Sequence, residues 1–547
     1  MKFELLNTNY DLSLIDRLLE IRNIKDKEKF LNPTWKNSWY DPFLLSDMQK
    51  SIDRIISAIK NNERIIVFGD YDVDGVTSTY VVFYFLYKIL NYKNVSIRLP
   101  SRQDGYWIRG FHLDELKQKN VSLIITVDNW ITAVEEASYA KSLGLDLIIT
   151  DHHTPLEVLP DAYSIINPKL WNYPFKDLAW VGVAFKLISA LANRLNLSKL
   201  SKEKLINYFL PIVAIWTVAD CVPLIDENRF LVKKWLEIIN NSKKRPPNID
   251  NLISYLKLKE VDSYHIWFVI GPRLNASGRI HKPDNSFQVL FQHSKSVQEK
   301  YLDLLEEMNK QRQNTQSDIL KEIEEKIDLN ENILLAVGDF HEWVIWIVAG
   351  RLSEKYNKPA IVLSVQKDKN QAVGSCRSPL YFSIIELLNK IWEEGILERY
   401  WGHAQAGGLT INLDNLDKFK QLLKKYWEDI LPDNLEKILF VDTELLKQDF
   451  LSEDIQNLDL LSPFWEQNPK PVFLIKDVKV VKVDVVGKQN NHIKILAEKD
   501  WIQFNILKWS GLSLLEKLKS SDKLSVIVNW EKDSFNGGFY FKLIDFI

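Results

Sequence analysis

The chain has 547 residues and a formal net charge of -3, with 46% hydrophobic and 26% charged residues. That length exceeds one ordinary domain and the balance is that of a globular protein, so three or four domains are expected. The near-neutral charge excludes a uniformly basic nucleic-acid coat, Cys221 and Cys376 are too few for a disulfide framework or a structural zinc site, and no run approaches the ~20 apolar residues of a membrane span.

Residues 1–55 read as short helices joined by a proline- and aromatic-rich stretch, a packed N-terminal extension, with no apolar leader in MKFELLNTNYDLSLID. A cytoplasmic protein is expected. From Ile65 to Ile149 short apolar runs alternate with helical stretches: IIVF (65–68), VSIRLP (95–100), SLIITVD (122–128) and DLIITD (146–151), with helices over 79–90 and 132–143. That alternation predicts an α/β fold with a doubly wound parallel sheet.

After IIVF comes Gly69, then Asp70, Asp72 and Asp74 at alternate positions. If the strand continues, all three carboxylates share one face, where they repel unless a cation sits among them. Gly75 permits a turn, and Thr77 and Ser78 are expected to cap the next helix. Asp128 and Asp151 close two further strands, His152 and His153 follow at once, and the apolar run Ile212–Ala219 delivers Asp220. One such Asp is a solvated turn, and one His a surface residue. Repeated at the ends of apolar segments, they indicate oxygen-rich ligation of Mg²⁺ or Mn²⁺.

Residues 284 to about 327 predict one long amphipathic helix, and ILLAVG (333–338) and PAIVLS (359–364) open a second α/β unit. Arg377 in GSCRS and His403 in GHAQAGG are expected in glycine-rich loops, whose N–H groups can bind phosphate. Beyond about 432 the pattern alternates as in short β-strands. There Lys476, Lys479, Lys482, Lys488 and His492 are candidate strand contacts, or simply an exposed lysine-rich face.

GDYDVDGVTS, TVDN, TDHH and TVADCVPL together resemble the DHH phosphoesterase superfamily. GPRLNASGRI (271–280), GSCRS, GHAQAGG and LSPFWEQNPKPVF (461–473) narrow the resemblance to the RecJ family of single-strand-specific 5′→3′ exonucleases, from about residue 55 to the end. The resemblance implies an extension (1–55), a DHH domain (56–235), a helical linker (236–330), a DHHA1 domain (331–430) and an OB-type domain (431–547). It implies two Mn²⁺ or Mg²⁺ ions held by Asp70, Asp72, Asp74, Asp128, His152 and Asp220, with Asp128 bridging and His153 acting on the scissile phosphate. Arg102, Arg279, Ser375, Arg377 and His403 would bind substrate. Single-stranded DNA is the implied substrate, with a single-strand-binding protein and a helicase as partners of a monomer. A superfamily phosphodiesterase acting on short oligonucleotides or cyclic dinucleotides is the other reading; a non-catalytic scaffold fits the full ligand set poorly.

The composition adds one anomaly. Glycine is 19 of 547, about 3.5% against a usual ~7%, and tryptophan is 18. The resemblance implies glycine where this chain has Trp107, Trp130, Trp180, Trp216, Trp235, Trp267, Trp343, Trp346, Trp401 and Trp465. Beside an intact ligand set, this points to UGA codons that the source cell reads as glycine; a drifted, inactive paralogue is the other account. Trp35, Trp39, Trp171 and others are not assigned by the resemblance.

Overall fold

In the computed structural model the described residues are 2–70, 72–100, 109–280, 284–430, 438–487, 490–515, 518, 523–533 and 537–546. The chain divides into two compact units, Glu306–Lys437 and Lys2–Leu305 with Ile438–Ile547.

The larger unit holds a five-stranded, all-parallel sheet. Its spatial order is Val95–Arg98, Arg64–Phe68, Val121–Val127, Asp146–Thr150, Ser164–Ile166. In chain order that is 2-1-3-4-5, so the winding reverses between Arg64–Phe68 and Val121–Val127. Open α/β sheets place their sites in the crevice beyond that reversal, at the carboxyl ends of the strands. Gly69-Asp70 and Asp128 occupy this position.

The strand ends at Phe68, so Asp70, Asp72 and Asp74 do not share a strand face as expected. Asp72 is the N-cap of the helix Val73–Tyr84, its carboxylate accepting from Asp74 N and Gly75 N at 3.0 Å each. Thr77 and Ser78 lie inside that helix rather than capping it, and Thr77 Oγ1 donates back to Val73 O at 2.8 Å. An Asp repeat fits a strand and a helix start equally well; the orphan N–H groups of the first turn decide it. Gly75 is required by close approach, since a Cβ there would lie 2.4 Å from Asp70 N. Asp220 follows the helix Lys199–Ala219.

The same unit contains the C-terminal barrel. Strands Val472–Val486, His492–Lys499, Ile502–Lys508, Phe539–Phe546 and Leu524–Lys532 pair in that order, and Val472–Val486 closes back on Leu524–Lys532. The N-terminal residues enter its core: Leu14, Leu18, Leu19 and Phe30 pack in one cluster with Phe473, Ile495, Val528 and Phe541. Lys2–Leu5 pairs in parallel with Ile438–Val441, and buried Arg17 is ion-paired with Asp449. Arg229, on the helix Asp226–Ile239, reaches Phe30 O (2.9 Å), Ser462 O (2.9 Å), Leu460 O (3.1 Å) and Pro463 O (3.4 Å). One guanidinium thus ties the α/β layer to both chain ends.

The stretch expected as one helix is two, Asp284–Phe291 and Lys295–Lys326; the second continues past the unit boundary at 305/306.

The smaller unit is a mixed five-stranded sheet ordered Leu397–His403, Ala406–Asn412, Gln371–Arg377, Ala360–Gln366, Leu334–Gly338. GSCRS and GHAQAGG are therefore mostly strand, not phosphate-cradling loops. Their glycines serve packing: a Cβ on Gly374 would lie 2.5 Å from Leu363 Cδ2. The N–H groups counted on for phosphate are largely committed to the sheet.

Candidate metal and phosphodiester site

Asp70, Asp128 and His152 lie just past the carboxyl ends of Arg64–Phe68, Val121–Val127 and Asp146–Thr150, Asp72 and Asp74 at the start of the helix Val73–Tyr84, and Asp220 after the helix Lys199–Ala219, its Oδ2 3.8 Å from His152 Nδ1. Asp70 and Asp128 are buried, at 4% and 5% exposure. Asp74 Oδ1, Asp128 Oδ2 and Asp220 Oδ2 are buried atoms with no hydrogen-bond partner. Burial pushes the Asp128 carboxyl well above its ordinary range, and Asp72, Asp74, Asp70 and Asp220 push it further. Asp74 is raised by burial and then by Asp220, Asp72 and Asp70; Asp220 by burial and then by Asp72. Asp74, Asp128 and Asp220 thus each feel neighbouring carboxylates, and none of those three oxygens has a hydrogen-bond donor.

His152 is placed by its own backbone neighbours. Its Nδ1 lies 3.1 Å from Leu178 O, which takes the ring proton, and 3.8 Å from Asp220 Oδ2. Nε2 is left with the lone pair. Burial holds the imidazole pKa well below its ordinary value, so the ring is neutral and fit to ligate. Asp151 is fully buried and plays another part. It accepts from Ile131 N at 3.0 Å and from His153 N at 2.6 Å, fastening two strand-end loops together. His153 points outward, its side chain 61% exposed.

The donor set fits a hard divalent cation: carboxylate oxygens lacking partners, one neutral imidazole and strong mutual repulsion. Among the described residues, no three such side chains converge closely enough to cage an ion as they stand. The site is a set of donors gathered at strand and helix ends, without a closed shell.

In the smaller unit, His403 and Arg377 are both in register with Ala406, so one row across three strands puts imidazole and guanidinium on one face. Ser375 lies two residues back on the same face, in register with Gly408. Arg377 Cζ sits 5.8 Å from the Trp346 ring. Arg102, Trp107, Lys488 and the side chains of Arg279 and Trp343 lie outside the described residues. On the barrel, Lys476 is paired with Glu444 (2.7 Å) and Lys482 with Asp484 (2.8 Å), which weakens both as strand contacts. His492 accepts from Ser510 N at 3.1 Å beside Trp509.

Sequence reasoning missed Asn129 and Asn167. Asn129 is 5% exposed beside Asp128 with neither amide atom partnered. Asn167 is fully buried, and its amide donates to His153 O at 3.0 Å. An Asn following directly on an apolar strand run is the available signal. Of the ten tryptophans set against family glycines, Trp130 alone among the described residues has a positive φ, at 90°. Trp216, Trp235 and Trp346 are helical, and Trp401 lies in a strand.

Three family models match in succession: the DHH family N-terminal domain over 64–215, the DHHA1 domain over 330–429 and the RecJ OB domain over 441–544. A Haemophilus influenzae single-stranded-DNA-specific exonuclease RecJ is 30% identical over 527 residues, spanning 90% of this chain and 89% of that protein. The chain belongs to the RecJ family. The Bacillus subtilis RecJ is 34% identical over 506 residues, 91% of this chain, but this chain spans only 63% of that relative's length. The fold matches that of Thermus thermophilus RecJ in complex with Mn²⁺, with a TM-score of 0.80 over 97% of this chain and 75% of that one at 24% identity. A second RecJ exonuclease structure bound to manganese matches at a TM-score of 0.60 and 26% identity, over 71% of this chain and 96% of that one. The α/β layer with DHHA1 and OB-type domains is thus the RecJ architecture. No helix among the described residues is long and apolar enough to cross a membrane.

Proposed function

We propose that this chain hydrolyses single-stranded DNA from its 5′ end to mononucleotides, at a two-metal site on the carboxyl edge of the parallel sheet. The observation that carries the reading is the trio of buried, unpartnered oxygens on Asp74, Asp128 and Asp220. Asp70, Asp72, Asp74, Asp128, His152 and Asp220 would hold Mn²⁺ or Mg²⁺. When bound, such ions neutralise the phosphodiester, acidify a water and stabilise the leaving oxygen.

The chain's own residues do the rest. Leu178 O fixes the His152 tautomer, which leaves the Nε2 lone pair for ligation. Asp151 and Asn167 hold the backbone of His153, whose exposed ring supplies charge or a proton at the scissile phosphate. Ser375, Arg377 and His403 form a second, phosphate-directed face. The barrel offers a single-strand track. Arg102 and Arg279 belong to the same reading as substrate contacts. Cytoplasmic placement, a monomeric state and cooperation with a helicase and a single-strand-binding protein rest on family kinship.

The experiment is digestion of 5′-labelled single-stranded and blunt duplex DNA with Mn²⁺ or Mg²⁺. Mononucleotides released from the 5′ end of single strands, with duplex resistant, are expected. Release from the 3′ end, equal attack on duplex, or turnover confined to short oligonucleotides or cyclic dinucleotides overturns the reading.

A further inference from the structure

The loop after the last strand of the parallel sheet, Asn167-Pro168-Lys169, is fastened to the two histidines. Asn167 holds His153 O, and its Oδ1 accepts from Lys169 N at 2.8 Å. The Lys169 ammonium thereby lies beside Thr154, its Nζ 3.3 Å from Thr154 Oγ1. That hydroxyl is neutral, and among the described residues no carboxylate lies within ion-pair distance of Lys169. A lysine held by its own loop at the rim of an acidic crevice, with no anion of its own, is a site for an incoming one.

We propose that Lys169 is a substrate-positioning residue that receives a backbone phosphate of the strand next to the scissile one, at the His153 edge of the site. The role rests on the nuclease reading above. An acidic crevice repels polyanionic DNA, and a fixed ammonium at its rim offsets that repulsion without entering the metal shell.

The test compares wild type, Lys169→Ala and Lys169→Arg on single-stranded DNA over a range of salt, with Mn²⁺ affinity measured separately by calorimetry. In Lys169→Ala, KM should rise on the order of tenfold with kcat within about twofold. The salt slope of log KM should fall by about 0.7, the value for one phosphate contact on a single strand. Lys169→Arg should restore most of the affinity, and Mn²⁺ affinity should not fall in either variant. Unchanged KM and salt slope in Lys169→Ala, or lost Mn²⁺ affinity, overturns the assignment. A wild type without nuclease activity fails the nuclease reading instead.

A separate observation carries a second inference. Asp500-Trp501 is the two-residue loop between His492–Lys499 and Ile502–Lys508, with Lys499 in register with Ile502. Both loop residues are left-handed, at φ 52° and 71°. This is the primed hairpin turn, whose usual sequences are Asn-Gly and Asp-Gly. The Trp501 side chain is 89% exposed, so no burial offsets the strain. Trp171 repeats the case, at φ 55° and 72% exposure. Trp130, at φ 90°, is fully buried with its Nε1 unpartnered. The geometry points to glycine at 130, 171 and 501 in the protein as its own cell makes it, with UGA decoded as glycine there.

Peptide mass spectrometry of protein from the source cell should read glycine at all three positions; tryptophan at any of them overturns the inference there. In the tryptophan-bearing chain, Trp501→Gly and Trp171→Gly should each raise the melting temperature. Trp392→Gly, inside the helix Ile384–Glu393, should lower it. A fall in both left-handed variants overturns the geometric argument.

Discussion

Nδ1 of His152 lies 3.1 Å from the backbone oxygen of Leu178, a contact that settles the imidazole tautomer before any ligand arrives. His152→Ala removes a preset donor from a wall of the crevice and takes little from the core. Activity should fall on the order of 10³-fold, with Mn²⁺ affinity also reduced and the melting temperature of the metal-free protein nearly unchanged. Activity assays with calorimetric Mn²⁺ titration check this; wild-type Mn²⁺ binding in the variant would remove His152 from the ligand set.

Asp128→Asn separates charge from shape. The carboxylate is 5% exposed and surrounded by four others that raise its pKa. Neutralising it relieves that repulsion, so the metal-free variant should melt several degrees above wild type while losing nuclease activity. A lower melting temperature would mean that the carboxylate has a stabilising partner.

The same cluster makes metal-free stability depend on pH. The folded pKa values of Asp74, Asp128 and Asp220 are raised, so the folded state holds more protons than the unfolded one above the ordinary Asp value of ~3.9. Their contribution is intact below that value and is lost as pH rises through the folded pKa values. Bound Mn²⁺ replaces the protons. The gap in melting temperature between Mn²⁺-loaded and chelator-treated protein should therefore widen from pH 5 to pH 8; a constant gap would contradict the coupling.

Arg229→Ala takes a donor from four backbone carbonyls, of which Leu460 O keeps Lys233 and Pro463 O keeps Asn468, and opens a buried space between the α/β layer and the segments around Phe30 and Ser462. A loss of about 3–5 kcal/mol is expected by denaturant titration. A change within ~0.5 kcal/mol would show the guanidinium to be incidental.

What the sequence made legible was local. Runs such as SLIITV end in Asp because a buried parallel strand must stop where polar groups begin, and that stop is where the site lies. The Asp70–Asp74 geometry was misread because alternation cannot separate a continuing strand from an N-cap. GSCRS was misread because Gly374 answers to Leu363 and Leu409 across the sheet, contacts distant in sequence. The pairing of Asp151 with Ile131 N and His153 N was hidden for the same reason: every strand-end Asp looks alike until its partners are known.

The shared core of the two chain ends has a consequence for synthesis. Leu14, Leu18, Leu19 and Phe30 leave the ribosome well before their core partners Val528 and Phe541 are made. At ~5–20 residues per second the wait is on the order of half a minute or more. Throughout it, an apolar helix face stays uncovered on the nascent chain. Loss of the strand Phe539–Phe546 would strip Phe541 and Leu543 from that core, so a truncation there should act as a defect in packing the first helices.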